Sequence, residues 1–464
     1  MKTTRVLIAC SASVLLSSTW ACKKDAAKNQ TPAVDPTSVV SWSEPVAVTA
    51  NSGGGAAGSF AFSPAGKLAL SWISATNGGA DGKLFVQSDA RNNFSGTPAD
   101  SSAHNASTLK DPLSNLRIKG EVPPRLVYAN DSTLYATYFV TKLVLNNKPQ
   151  NALRFVSSND GGKTWGAPST VTPDNVFGSY DDQALMVTAN GGVFVSWIAE
   201  GANDTSHVFF ARSANAGKTW SKPRAVDIDA SCSCCKTSFA AGTDGSLYLA
   251  WRKRFTGEVR DVVVSRSIDD GATWSKPTRV YADEWQLNYC TDAGPSLQVA
   301  KNGTVHIAWF TGKLGRAGTQ YAQSIDSAKT FSKPTELRLA ANSRPSHVQL
   351  ALSSDADQKT VIVVWDDGTI VVPQIVMRVS RDAGKTFAPA QAVSAAGVQA
   401  MYPTEVLRGD TVRVVWQERS AAGETADSLV KDKRRDQDDP KASIEVIGAL
   451  QIVARQGVLG GVKK

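Results

Sequence analysis

Four cysteines fall in two short stretches of this 464-residue chain. Ser231-Cys232-Ser233-Cys234-Cys235-Lys236 carries three of them, and Tyr289-Cys290-Thr291-Asp292 carries the fourth. Thiols grouped in this way support three chemistries. The first is a pair of disulfides, which an oxidising compartment allows. Four cysteines permit three pairings, and the adjacent Cys234 and Cys235 and the short C-x-C step both strain a local bridge. The second is a thiolate metal site, because clustered sulfur selects soft ions such as copper(I) or zinc. The third is one disulfide plus reactive thiols suited to redox exchange. The sequence leaves all three open, and with them the cofactor.

The elements that must position these thiols are visible as a repeat. Ser158-Asn159-Asp160-Gly161-Gly162-Lys163-Thr164-Trp165 returns as Ser213 to Trp220, Ser267 to Trp274, Ser324 to Phe331 and Ser380 to Phe387. The copies lie about 54–57 residues apart, a period that belongs to propellers and solenoids. The acidic position, Asp160, Asp269, Asp326 or Asp382, can accept backbone N–H bonds inside the turn, with Asn215 in its place in the second copy. Gly supplies a backbone conformation other residues disfavour, though Ala328 replaces it in the fourth copy. The aromatic residue pins the turn to the sheet below. These residues are read as structural.

A second periodicity counts the units. Strand-like runs of alternating or β-branched residues end in Trp72, Tyr138, Trp197, Trp251, Trp309, Trp365 and Trp416. Seven such units predict an all-β propeller of four-stranded blades, with seven blades favoured and six the alternative. Ser41-Trp42-Ser43-Glu44-Pro45 reads like the segment after a turn motif, Thr219-Trp220-Ser221-Lys222-Pro223. Residues 40–49 are therefore expected to supply the outer strand of the last blade, closing the ring and protecting its edges.

The S-x-D-x-G-x-T-W pattern resembles the Asp box of sialidases and related BNR-repeat proteins, over most of the chain. The C-x-C-C motif followed by Trp285 to Cys290 is similar to a group of secreted bacterial BNR-repeat proteins. The resemblance implies that Asp boxes occupy one face. The segments entering each innermost strand occupy the opposite rim, where all four cysteines would gather. His347 and Met401 would open blades on that rim, as candidate extra metal ligands.

Sialidases hold the sugar carboxylate with three arginines and use a Tyr nucleophile activated by Glu, with an Asp acid. By that resemblance Tyr402 takes the nucleophile position and Arg252 an arginine position. Arg125 and Arg344 are the other arginine candidates, and Asp181, Asp182 or Asp292 the acid. The sequence departs from the pattern at Lys236, which stands where the activating Glu belongs, and no blade opens with Arg-Ile-Pro. Glu405 joins the residues expected around this rim.

The N-terminus reads as an address. A basic start and the apolar run Val6 to Leu16 form a secretory signal, and Ala21-Cys22 resembles a lipoprotein cleavage site with Cys22 the lipidated residue. Residues 1–22 are then the signal, 23–39 a polar tether and 40–460 a single propeller domain. Lys23 after the cysteine points to the outer membrane, on its periplasmic or surface face. The net charge of +8 is spread along the chain, which argues against a nucleic-acid surface and allows acidic glycans or lipid headgroups. The run Lys431 to Asp439 reads as a solvated loop, with a docking site as the alternative. The function expected is binding at the cysteine-bearing rim, of a soft metal such as copper or of a glycan or protein ligand, by a lipid-anchored monomer. The alternative is an exo-sialidase-like glycoside hydrolase acting on sialic acid or another acidic sugar.

Overall fold

The computed structural model describes residues 39–49, 55–76, 81–89, 106–109, 111–112, 115–116, 122–145, 148–172, 180–200, 205–287, 289, 291–340, 344, 346–419 and 450–460. The signal and tether, Cys22, Cys290 and the charge run 431–439 lie outside the described residues. No helix among the described residues is long and apolar enough to cross a membrane.

The architecture is an all-β propeller with four-stranded blades. The strands pair antiparallel with their chain neighbours in seven sets, five of four strands and two of five. Ser231 bridges to Ser206 on one side and to Lys253 on the other, merging two neighbouring sets into one continuous ladder. The seven sequence units therefore make six continuous hydrogen-bonded sheets rather than seven separate ones. In the set formed by Gln399–Arg408, Thr411–Arg419 and Leu450–Leu459, the last strand also pairs with Val40–Trp42 and Val46–Ala47.

The periodic aromatics are the centre of each unit. Trp72, Tyr138, Trp197, Trp251, Trp309, Trp365 and Trp416 each sit on a second strand and are at most 1 % exposed. Large aromatic faces suit this place because they fill the gap between packed sheets, and each buries some 150–250 Å².

The five turn motifs share one bonding scheme. In the third, Ser267 Oγ donates to Asp269 Oδ1 at 2.8 Å and accepts from Gly271 N at 2.9 Å. Thr273 N and Oγ1 donate to the Asp269 carboxylate at 2.8 and 2.6 Å. Asp160, Asp326 and Asp382 repeat it, and Asn215 keeps the backbone bond from Thr219 at 2.9 Å while its own amide donates to Thr219 Oγ1. Gly271 has φ +81°, and a Cβ there would lie 2.4 Å from the Phe210 ring of the preceding blade. The aromatic that ends the motif caps the same contact, with Trp274 edge-on to Phe210 at 5.6 Å.

Two outcomes follow. Gly271→Val combines backbone strain with a clash against a buried ring and is expected to cost about 2 kcal/mol in denaturant unfolding. The bonds from Thr273 and Thr330 hold the Asp269 and Asp326 carboxyls down at about 2, below the unfolded value near 4. Their stabilisation is complete above about pH 4 and is lost as pH falls through about 2. The melting temperature should drop across that window, and Asp269→Asn should flatten the slope.

Candidate functional site

Three innermost strands begin with an irregularity. The register shifts between Ala56 and Ser59, between Asp181 and Ala184, and between Met401 and Thr404. Ala57, Asp182 and Tyr402 inside these bulges have φ of 56°, 56° and 57°. Such bulges re-aim a side chain where a strand starts. A non-glycine residue in the left-handed region carries strain, so something must hold it.

At Tyr402 that something is Asp366. Asp366 follows Trp365 directly and is 2 % exposed. Its Oδ1 accepts the backbone N–H of His347 at 2.5 Å. Its Oδ2 accepts His347 Nδ1 at 2.6 Å and the backbone N–H of Tyr402 at 3.2 Å. Burial raises the Asp366 carboxyl, but the charge of His347 and then the bonds from His347 and Tyr402 outweigh this and leave it below the usual carboxylate range. An ionised carboxylate only accepts, so Nδ1 carries the proton of this bond. Nε2 is buried and has no hydrogen-bond partner among the described residues. The His347 and Tyr402 rings lie 4.4 Å apart, centre to centre.

His347 and Tyr402 line a shallow hollow with Arg125, Lys236, Gln349 and Thr404. Its enclosed space is about 10 Å³, and about 270 Å³ when the part open to solvent is counted, so the hollow is a dimple at which a ligand would rest rather than a cavity that encloses one. Arg125 donates from Nε to the Gln183 carbonyl at 3.3 Å, and Lys236 from Nζ to the Val348 carbonyl at 3.2 Å. Burial brings Arg125 down to about 10, with Asp182 opposing. Burial and the neighbouring Arg125 bring Lys236 down to about 7. Burial lifts Glu405 to about 8 against the pull of Lys236, and Glu405 Oε2 is buried without a hydrogen-bond partner among the described residues. Gly294 packs so closely on Lys236 that a Cβ would lie 2.1 Å from its carbonyl oxygen.

The other residues marked by the sequence sit elsewhere. Arg252 is 1 % exposed, and its guanidinium donates to the carbonyls of Arg260, Ala293 and Phe310 and lies over the Trp285 ring at 5.0 Å. It fastens two blades together. Arg344 donates to the Val371 carbonyl. Asp292 is half-buried with φ 52° and Asp181 half-buried, neither lining the hollow. Met401 is buried and accepts from Gln399 Nε2 at 3.3 Å.

The described cysteines do crowd together. The sulfurs of Cys232, Cys234 and Cys235 lie within 4.8 Å of one another, all buried. Cys234 is disulfide-bonded, whereas Cys232 and Cys235 are free thiols with sulfurs 2.8 Å apart. A four-thiolate metal site does not fit this state. Cys234 has no thiolate to give, and two sulfurs on a tetrahedral zinc stand about 3.8 Å apart. Arg260 Nη1 donates to Cys232 Sγ at 3.5 Å, and Thr291 Oγ1 is 3.4 Å from Cys235 Sγ. The bond from Cys235, followed by the charges of Arg252 and Arg260, brings the Cys232 thiol down to about 6, while burial raises Cys235.

The fold is that of a sialidase-like β-propeller. The chain belongs to the BNR repeat-like domain family, whose model matches residues 66–414. Comparison with curated protein sequences finds none that matches. Among solved structures, a protein of unknown function from Dyadobacter fermentans is similar at TM-score 0.50 and 16 % identity, covering 90 % of this chain and 99 % of that one. The polysaccharide lyase Uly1 is similar at TM-score 0.50 and 11 % identity, covering 85 % and 88 %. The Hadza microbial sialidase Hz136 is similar at TM-score 0.45 and 16 % identity, covering 76 % and 75 %. At these identities the likeness concerns the fold.

Sequence reading placed Tyr402 and Arg125 at this hollow but missed Asp366. The signal was there: the residue after a blade tryptophan is polar at Trp251-Arg252, Trp365-Asp366 and Trp416-Gln417, and Gln417 Oε1 accepts the N–H of the bulged Ala57 just as Asp366 accepts that of Tyr402. Asp366→Ala leaves three donors unmatched and a strained Tyr402 unheld. It should cost about 3 kcal/mol in denaturant unfolding, against little change for the exposed Asp357→Ala.

Proposed function

We propose that this protein is an exported, lipid-anchored propeller that binds a carboxylate-bearing sugar in the hollow between Arg125, Lys236, His347 and Tyr402. The observation that carries the reading is the pair of cations, Arg125 and Lys236, lining one hollow beside an aromatic and an imidazole with an uncommitted nitrogen. A buried cation matches an anion far better than a neutral hydroxyl. The similarity to a polysaccharide lyase is consistent with sugar chemistry on this fold. In this reading the propeller ring is closed where Val40–Trp42 pairs with Leu450–Leu459. Cys22 carries the lipid and holds the monomer at the outer membrane.

Tyr402 in the hollow favours one second reading, cleavage of a sialoside or another acidic glycoside with Tyr402 as nucleophile. Lys236 and Glu405 would then share the place of the activating carboxylate, since each is electrostatically coupled to the other. Release of a fluorescent reporter from a sialoside, abolished in Tyr402→Phe, would support it. No release by the native protein removes it and leaves binding standing.

Calorimetric titration with N-acetylneuraminic acid, galacturonic acid and galactose tests the binding reading. At least one acid should bind and galactose should not. Arg125→Ala should weaken the acid about tenfold, the equivalent of roughly 1.4 kcal/mol. Below about pH 7 Lys236 is charged and Glu405 neutral, and above about pH 8 Lys236 is neutral and Glu405 charged. Both changes make the hollow less positive as pH rises, so affinity should fall between about pH 6 and about pH 9. Affinity that is flat or rises across that range contradicts the proposal.

A further inference from the structure

We propose that Cys232 and Cys235 are a peroxide-oxidisable pair, in which Cys232 takes the oxygen and Cys235 closes the disulfide. The two lie at C-x-x-C spacing and are each 1 % exposed. Their sulfurs stand 2.8 Å apart, too close for two thiols at rest and too close for two ligands on one tetrahedral metal, yet the spacing from which an S–S bond forms with little movement. The third sulfur, Cys234, is already committed to a disulfide and does not compete.

The surroundings distinguish the two sulfurs. Cys232 accepts from Arg260 Nη1 at 3.5 Å, and its backbone N–H is fixed on the Arg252 carbonyl at 2.9 Å. A guanidinium beside sulfur favours the thiolate, the reactive form. Cys235 faces Thr291 Oγ1 at 3.4 Å and no cation donates to it. Cys232 is therefore the nucleophile and Cys235 the resolving thiol. Burial selects the oxidant. A bulky protein or peptide disulfide has no approach to either sulfur, whereas hydrogen peroxide is little larger than water.

The chemistry balances without a cofactor. The Cys232 thiolate attacks one peroxide oxygen, the O–O bond breaks, and the departing hydroxide takes a proton to become water. This leaves Cys232 as a sulfenic acid. The Cys235 thiol then attacks the Cys232 sulfur, the S–O bond breaks, and its hydroxyl leaves with the thiol proton as a second water. Two thiols lose two electrons in all, and one peroxide becomes two waters.

The test is thiol counting on the full mature chain, purified without oxygen. The folded protein is exposed to one equivalent of hydrogen peroxide, quenched with catalase, denatured and alkylated, and its intact mass is read. Before peroxide two thiols should alkylate, and after it none. Peptide mapping should then place the new bond within the Ala225–Lys236 segment. In Cys235→Ser, dimedone should label Cys232, and in Cys232→Ser the labelling of Cys235 should fall at least tenfold. Two thiols that survive peroxide in the native protein overturn the proposal even if both variants fail to fold. So does dimedone labelling centred on Cys235, or a native protein with no free thiol before peroxide that gains none with dithiothreitol.

Discussion

A single buried carboxylate organises the candidate site. Asp366 receives two bonds from His347 and one from Tyr402, so it joins the entry to its own blade to the bulged strand of the next. A carboxylate at this depth is tolerated only if its lone pairs are used. The same need that keeps it bonded fixes the imidazole tautomer and holds Tyr402 in a conformation that costs free energy. The hollow inherits its shape from this clamp. Remove it and the strained tyrosine has no reason to stay, while the imidazole loses the partner that orients it.

Everything else supplies the frame on which the clamp can act. The buried aromatic of each second strand sets the spacing between units, and the Asp-box turns lock the ends of the same units through short bonds among Ser, Asp and Thr. Rigid turns at one end leave the opposite ends of the strands to carry irregular backbone, and there the bulges at Ala57, Asp182 and Tyr402 occur. Arg252 performs a related task beside the cysteines, where its three bonds to carbonyls make it a fastener in the position where the family resemblance implied a ligand-binding arginine. The cysteine segment runs directly into Lys236, so the redox-capable sulfurs and the cation of the hollow share a continuous backbone.

The frame was readable from the sequence because it repeats. Five turn motifs and seven strand-ending aromatics announce themselves by period, and period is a property a single chain displays. The sheet count was less legible, since one residue, Ser231, joins two strand sets through backbone bridges that leave no side-chain signature. The site was legible only where a residue type was unusual in its place, as with Lys236 after a run of cysteines. Asp366 looked like one more polar residue at a strand end. Its role depends on the fold bringing His347 and the Tyr402 backbone to the same two oxygens, and the polar position after a blade tryptophan marks Asp366 without revealing that meeting. The unequal fates of the cysteines were hidden for the same reason, because the C-x-x-C relation is local while the commitment of Cys234 is set by tertiary packing.

The central claim, that Asp366 fixes the histidine which faces the hollow, can be read directly by long-range proton–nitrogen NMR on protein labelled at histidine. His347 should carry its proton on Nδ1, hydrogen-bonded and slow to exchange, with Nε2 unprotonated in the neutral form, and that preference should be lost in Asp366→Ala, which removes the acceptor. A His347 protonated on Nε2 instead, or one whose tautomers average freely in the native protein, would contradict it.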